Sequence, residues 1–168
     1  QSQVLEGWHR PAPANHDFDY ESFSMEVKAA SRDSTTVRIT SEHQLMSAED
    51  KPLQLHFYRI DNVNKSNEDS VGLLFHEIKE ILDVGLVNVF EMKCAEDVFC
   101  EYLGPELMPL DYKLTVIENF VYDVDQKEFP RIRKENLDAG ISKTSYNLDI
   151  SSINDFKITL DGNRVRGN

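Results

Sequence analysis

Two cysteines, Cys94 and Cys100, are the first residues whose type and spacing could do chemistry. A zinc site needs about four ligands, and no histidine or second cysteine pair lies near these two, so zinc is disfavoured. Their spacing also differs from the Cys-x-x-Cys pattern of redox proteins. A disulfide closing this short loop would stabilise the fold by about 2 kcal/mol, and reduced, partly buried thiols are the alternative. A disulfide would indicate an oxidising compartment.

Histidines and carboxylates form no further pattern that identifies a reaction. His56 and His76 are predicted to lie on the surfaces of their elements rather than to act as bases. Asp123, Asp125 and Glu128 could bind Ca²⁺ in a loop, although a solvated acidic turn is the preferred interpretation. With 30 acidic residues in the chain, a carboxylate pair by itself supports no glycosidase-type chemistry. Because P-loop, nucleophile-elbow and zinc-protease motifs are absent, the sequence predicts no enzyme, no metal site and no cofactor.

The composition is that of an ordinary folded domain with an acidic surface. The chain has 168 residues, of which 40% are hydrophobic, and its 30 acidic and 18 basic side chains give a net charge of −12. One domain is expected at this length. Nucleic acid and anionic membrane surfaces are disfavoured as partners, because the net field repels phosphate. The charge favours basic protein partners instead.

Strand-like alternation dominates the sequence. We expect an irregular N-terminal arm over 1–18, anchored to the body by Trp8, and a single domain over 19–168. The predicted strands cover 18–27, 35–41, 53–60, 87–92, 112–124, 146–150 and 155–160. Apolar residues at helical spacing predict one helix over about 70–85, which Gly85 would end. Together, these strands and this helix predict a mainly β fold, a two-sheet antiparallel β-sandwich with one inserted helix around 70–85.

Two stretches resemble the TssJ (SciN) outer-membrane lipoproteins of bacterial type VI secretion systems. The first begins with the strand Val37–Ser41 and continues through a polar loop into 47–60. The second covers 112–131, where a long strand is followed by a charged turn and Phe129-Pro130-Arg131. The closing residues 158–165 are also similar to the last strand of that family.

The resemblance implies a transthyretin-like β-sandwich in the periplasm, tethered to the outer membrane through an acylated cysteine that would precede Gln1. It also implies a non-enzymatic scaffold that binds the periplasmic domain of the inner-membrane protein TssM. The loop between the first two strands would make that contact. Its residues here are Gln44, Leu45, Met46, Ser47, Ala48, Glu49, Asp50 and Lys51. Leu45 and Met46 would either anchor in a partner pocket or fold back onto the domain, and the charged residues would form a rim.

Two other interpretations remain open at this stage. An exported immunity protein that inhibits a basic toxin enzyme would also suit the net charge of −12. An enzyme or a carrier of a small ligand is the third possibility, since β-sandwiches can hold apolar pockets.

Overall fold

The structure is a computed structural model that describes residues 2–9, 14–48, 50–61, 69–96 and 113–159. Its helices are α1 (Ser2–Gly7), α2 (Val71–Ile81) and α3 (Val84–Glu96). Its strands are β1 (Phe18–Asp19), β2 (Ser24–Ser31), β3 (Thr36–Ile39), β4 (Leu53–Asp61), β5 (Asp69–Ser70), β6 (Lys113–Asp123), β7 (Tyr146–Asp149) and β8 (Lys157–Ile158). Short 3₁₀ turns occupy Glu42–Leu45, Lys134–Asn136 and Ser151–Phe156. No helix in these ranges has the length and apolar character needed to span a membrane.

A mixed six-stranded sheet forms the centre of the described fold. Its order is β1-β2-β4-β6-β5, and β8 also pairs with β6. β2 and β4 run parallel, from Ser24 opposite Leu53 to Ser31 opposite Ile60, whereas the other pairs are antiparallel. β3 and β7 form a separate two-stranded sheet. The fold is therefore mixed α/β with strands in two sheets. The strand-rich prediction holds at this level, but the parallel β2–β4 pair contradicts an antiparallel order and a transthyretin-like sandwich is not confirmed.

Alternation along β4 builds the core. Leu53, Leu55 and Phe57 are fully buried, because residues two apart on a strand point to the same face. Burying each such side chain contributes about 1.5–3 kcal/mol. The same core contains, from other elements, Val37, Ile39, Leu45, Tyr122, Val124, Phe129, Leu148, Ile150 and Ile153. The period of two predicted for this strand is confirmed.

The helical region differs from the prediction. A helix begins at Val71 as expected, but it ends at Ile81, and a second helix continues from Val84 to Glu96. The strand predicted over 87–92 is therefore wrong, and Gly85 lies in the first turn of α3 instead of ending a helix. The backbone carbonyl of Asp83 accepts hydrogen bonds from the N–H groups of Leu86 and Val87, which starts the new helix.

The two ends of the described chain also differ from the predictions. Ser2–Gly7 is helical where the sequence predicts an irregular arm. The prediction that Trp8 anchors this segment is confirmed, because its ring lies 6.5 Å from that of Phe18 and 6.1 Å from that of Phe90. Ser151–Phe156 forms a 3₁₀ turn where a strand is predicted from 155, so β8 retains two residues.

Glu42 connects the turn after β3 to the segment before β7. Its Oε2 accepts hydrogen bonds from Thr144 N and Thr144 Oγ1, both at 2.9 Å. Hydrogen bonds from its own backbone N–H and from Thr144 lower the pKa of Glu42. The link joins segments that are far apart in sequence but adjacent in the fold.

We expect Glu42→Gln to reduce the free energy of unfolding at pH 7 more than the exposed control Glu80→Gln does. A carboxylate with a lowered folded-state pKa contributes stability that is present above its unfolded pKa. That contribution disappears as the pH falls through the folded-state pKa. Urea denaturation should therefore show a difference between wild type and Glu42→Gln at pH 7 that shrinks as the pH falls below the ordinary glutamate pKa of about 4.3. A difference that does not change with pH would contradict the assignment.

Candidate functional site

A pair of opposite charges lies within the main sheet, on β2. Glu26 exposes 1% of its side chain and Lys28 exposes 13%, and Lys28 Nζ lies 2.7 Å from Glu26 Oε1. The parallel register places Glu26 beside Leu55 and Lys28 beside Phe57, both fully buried. Because the two charged residues are two positions apart, they share the face that those core residues use. A charge in such surroundings is costly unless it is paired, so the contact between these two charges offsets part of that cost.

Two aspartates lie next to this pair, at the β1 edge. Phe18 pairs with Met25 and Asp19 pairs with Ser24 in the antiparallel register. Asp17, which immediately precedes β1, accepts a hydrogen bond at Oδ2 from Val27 N at 2.9 Å. That bond holds its carboxylate beside the segment that carries Glu26. The short connection between β1 and β2 is closed by a hydrogen bond from Tyr20 N to Phe23 O of 2.9 Å.

Oxygen ligands in this arrangement suit a hard divalent cation. Magnesium is commonly held by one or two carboxylates, with water and substrate phosphate at its remaining positions. Asp17 and Glu26 supply two carboxylates on adjacent segments of β1 and β2. Within the ranges that the structure describes, no group of three or more His, Cys, Asp or Glu side chains is placed to hold a metal. Two carboxylates on adjacent segments match the one or two that a magnesium ion uses when it keeps water ligands, and they are too few for a closed structural site of zinc type.

A polar cavity of about 420 Å³ lies beside the start of β2. Its described lining consists of His9, Ala14, Asn15, His16, Asp19, Ser24, His43, Met46, Ser47, Ala48 and Lys51. Asp19 Oδ1 accepts a hydrogen bond from Ser24 Oγ at 2.8 Å and lies 2.5 Å from Lys51 Nζ. Partial burial acts to raise the pKa of Asp19, but the hydrogen bonds from Lys51 and Ser24 outweigh it and lower that pKa. Asp19 is thus ionised in the lining of this cavity, and Lys51 balances its charge.

His16 lines the same cavity. Its Nε2 lies 3.0 Å from the carbonyl oxygen of Met46. Burial lowers the pKa of His16, so its neutral ring donates from Nε2 to that carbonyl at pH 7. This bond fixes the His16 ring relative to the turn that carries Met46 and Ser47.

The loop predicted to bind a protein partner, Gln44–Lys51, is divided between the core and this cavity. Leu45 is fully buried, so it folds back onto the domain and is unavailable as a partner anchor. Met46, Ser47, Ala48 and Lys51 line the cavity. Gln44 Oε1 accepts a hydrogen bond from Thr40 N, and Asp50 is exposed. Glu49 lies outside the described residues.

The other residues that the sequence suggested for chemistry make contacts outside this site or lie outside the described residues. Asp125 Oδ2 accepts a hydrogen bond from Leu53 N at 2.8 Å, and Asp123 Oδ1 accepts one from Asp125 N at 3.0 Å. These bonds give the acidic turn a role in ending β6. His56 lies 3.1 Å from Gln54 Oε1. Cys100 lies outside the described residues, so its disulfide with Cys94 stays a prediction.

Sequence reasoning missed the Glu26–Lys28 pair because its pattern is common. An acid, any residue and a lysine occur in this order seven times, at 26–28, 49–51, 77–79, 91–93, 111–113, 125–127 and 155–157. Among the described triplets, burial of the acid distinguishes Glu26. A usable signal was its place in a strand-like stretch, directly after a turn preceded by Asp17 and Asp19.

Comparison with family models corrects the resemblance drawn from the sequence. Residues 1–151 match the family described as "Putative PD-(D/E)XK family member, (DUF4420)". This match overturns the TssJ resemblance, and with it the type VI secretion scaffold that binds TssM and the immunity protein. The periplasmic, outer-membrane location stays a prediction that nothing tests. Comparisons with curated proteins and with solved structures found no match.

The description of the family contains the pattern that the structure singles out. Glu26-Val27-Lys28 supplies the acid, the variable residue and the lysine. A Pro-Asp dipeptide does not occur in the sequence, and the aspartate held beside the triplet, Asp17, follows His16. Since the match covers residues 1–151 of 168, this chain belongs to the DUF4420 family.

Proposed function

We propose that this protein cleaves phosphodiester bonds of nucleic acid with the help of a divalent cation, at a site formed by Asp17, Glu26 and Lys28. One observation carries the proposal. Glu26 is buried and Lys28 half-buried on one face of β2, with Lys28 Nζ 2.7 Å from Glu26 Oε1, and the carboxylate of Asp17 accepts a hydrogen bond from the intervening Val27 N. Membership of a family named after this triplet supports it.

Each residue has a distinct role in the proposal. Asp17 and Glu26 would hold the cation, because carboxylate oxygens are its preferred ligands. A bound cation would act as a Lewis acid toward phosphate and lower the pKa of a water ligand. Lys28 would place a positive charge near a phosphate oxygen and stabilise the negative charge that develops during cleavage. Its contact with Glu26 restricts the ammonium group to this face of the sheet.

The net charge of −12 argues against a nucleic-acid partner, and nothing tests that expectation. The proposal rests on local charge instead. Screening limits exposed charges to a range of about 8 Å at physiological salt. Lys28 and Lys51 offset two of the three carboxylates at or beside the site, those of Asp17, Asp19 and Glu26, and a bound divalent cation would make the local charge positive. A short phosphate segment at the site would respond to its immediate surroundings more than to the net charge.

Cleavage assays with Glu26→Gln test the proposal. We expect wild type to cleave at least one of single-stranded DNA, double-stranded DNA, single-stranded RNA and double-stranded RNA when Mg²⁺ or Mn²⁺ is present. Chelation of the cation should stop cleavage, and Glu26→Gln should be slower by about 100-fold.

The matched control is Glu77→Gln, which alters a triplet of the same pattern on the exposed face of α2. This variant should cleave at the wild-type rate. Folded wild-type protein that cleaves none of the four substrates with either cation would contradict the proposed function. Equal rates for Glu26→Gln and Glu77→Gln would contradict the assignment of the site.

A further inference from the structure

The polar cavity beside β2 has a composition unlike that of the whole chain. Three of the five histidines, His9, His16 and His43, line it together with Lys51. The chain has 30 acidic residues against 18 basic ones, but Asp19 is the one carboxylate among the described lining residues. Its charge is balanced by that of Lys51, and it accepts a further hydrogen bond from Ser24. The cavity is therefore rich in hydrogen-bond donors and poor in negative charge.

The cavity adjoins the proposed site without overlapping it. Ser24 lines the cavity and lies two residues before Glu26 on the same face of β2. Two residues along a strand span about 7 Å. Successive phosphates of one strand are separated by at least the axial rise of about 3.4 Å per nucleotide in a duplex, so this distance spans at most two nucleotides. A strand with its reacting phosphate near Glu26 would thus bring a phosphate one or two nucleotides away to the cavity.

We propose that this cavity binds the phosphate of a nucleotide adjacent to the cleaved bond and so selects a single nucleic-acid strand as substrate. The inference rests on the proposed function. Lys51 Nζ, Asn15 Nδ2 and the rings of His9 and His43 are donors suited to phosphate oxygens. A volume of about 420 Å³ lies near the lower end of the range for small-molecule sites. It suits one nucleotide unit rather than a duplex.

A metal ion is the competing occupant for a cavity rich in histidine. The described side chains contain no group of three or more His, Cys, Asp or Glu placed to hold one. The hydrogen bond between His16 Nε2 and the carbonyl of Met46 also uses one ring nitrogen of a possible ligand. The arrangement favours an anion.

Proton NMR of the five histidine rings tests the proposal without any cleavage. The purified protein is titrated with adenosine monophosphate, with adenosine, and with the 5′-phosphorylated dinucleotide of deoxyadenosine, all without divalent cations. We expect the monophosphate to shift the ring resonances of His9, His16 and His43. His56 and His76, which lie outside the cavity, are internal controls and should not move. Adenosine should leave all five in place.

The dinucleotide distinguishes a strand from a free nucleotide as the source of the phosphate. We expect it to bind at least about threefold more tightly than the monophosphate, because its second phosphate reaches toward Lys28. Equal affinity would contradict strand binding and indicate a free nucleotide. Shifts that are as large for His56 and His76 as for the cavity histidines would contradict the site itself.

Variants separate this proposal from the proposed function. Lys51→Gln should weaken monophosphate binding by about 5- to 10-fold, whereas Lys134→Gln, on the exposed 3₁₀ turn, should not. Unfolding curves confirm that both variants are folded. Normal cleavage together with unshifted cavity histidines would refute the phosphate cavity alone. Shifted cavity histidines without cleavage in any assay would refute the proposed function and leave the cavity as a phosphate site with no link to a cleaved bond.

Discussion

Replacing Lys28 with methionine is expected to slow nucleic-acid cleavage by about 100-fold or more. Methionine keeps the unbranched shape of the side chain but removes the ammonium group that lies 2.7 Å from Glu26 Oε1. If this group stabilises charge that develops on phosphate, its loss affects the cleavage step more than substrate binding. Initial rates at saturating substrate and Mg²⁺ measure that step directly.

Lys79→Met is the matched control for this experiment. Lys79 belongs to the triplet 77–79 on α2 and exposes 29% of its side chain, so the control removes the same charge from the same pattern. We expect Lys79→Met to cleave at the wild-type rate. A Lys28→Met rate within threefold of wild type would contradict the catalytic role of Lys28. An effect confined to KM would assign Lys28 to substrate binding instead.

Much of the sheet follows from local pattern. The alternation of Leu53, Leu55 and Phe57 predicts both the strand and its buried face, and the structure confirms both. The start of α2 at Val71 follows from helical spacing in the same way. The strand prediction for residues 87–92 is wrong because a short apolar run fits a strand and a buried helix equally well. The hydrogen bonds that the backbone carbonyl of Asp83 accepts start α3, and the segment is therefore helical.

The candidate site could not be predicted because its burial is a non-local property. Along β2 the apolar pattern places Met25 and Val27 on the face expected to be buried, yet the structure buries Ser24 and Glu26. That inversion depends on the parallel pairing of β2 with β4, which local sequence does not specify. Places where the sequence pattern and the structure disagree are often functional, and here the disagreement coincides with the charged pair.

The TssJ resemblance failed for a related physical reason. Its matching stretches are alternating strands such as 53–60 and 112–124, and many unrelated sheets require the same period of two. The structure confirms those strands as β4 and β6, so the local inference was sound. The pairing of the strands and the buried charges distinguish one fold family from another, and neither can be inferred from alternation.

We expect Lys28→Met to be less stable than the double variant Glu26→Gln/Lys28→Met, although neither should cleave at the wild-type rate. Lys28→Met alone removes the ammonium group that lies 2.7 Å from the carboxylate of Glu26, which is 1% exposed. Breaking a buried pair in this way costs about 3–5 kcal/mol, a large part of the roughly 5–15 kcal/mol that stabilises a domain. Glu26→Gln/Lys28→Met leaves no ionised side chain in the pair. We expect this double variant to regain at least about 2 kcal/mol relative to Lys28→Met in urea unfolding at pH 7.

The double variant also resolves the main ambiguity in interpreting Lys28→Met, which could lose activity by unfolding. A double variant that is more stable than Lys28→Met but cleaves no faster would show that lost activity reflects lost chemistry. If the two substitutions instead destabilise additively, the pair is not coupled, and its proximity has no energetic consequence. If the stabilised double variant recovers cleavage, the charges serve the fold alone and the proposed site is wrong. Buried charge retained at a cost in stability is expected where the charges serve a reaction.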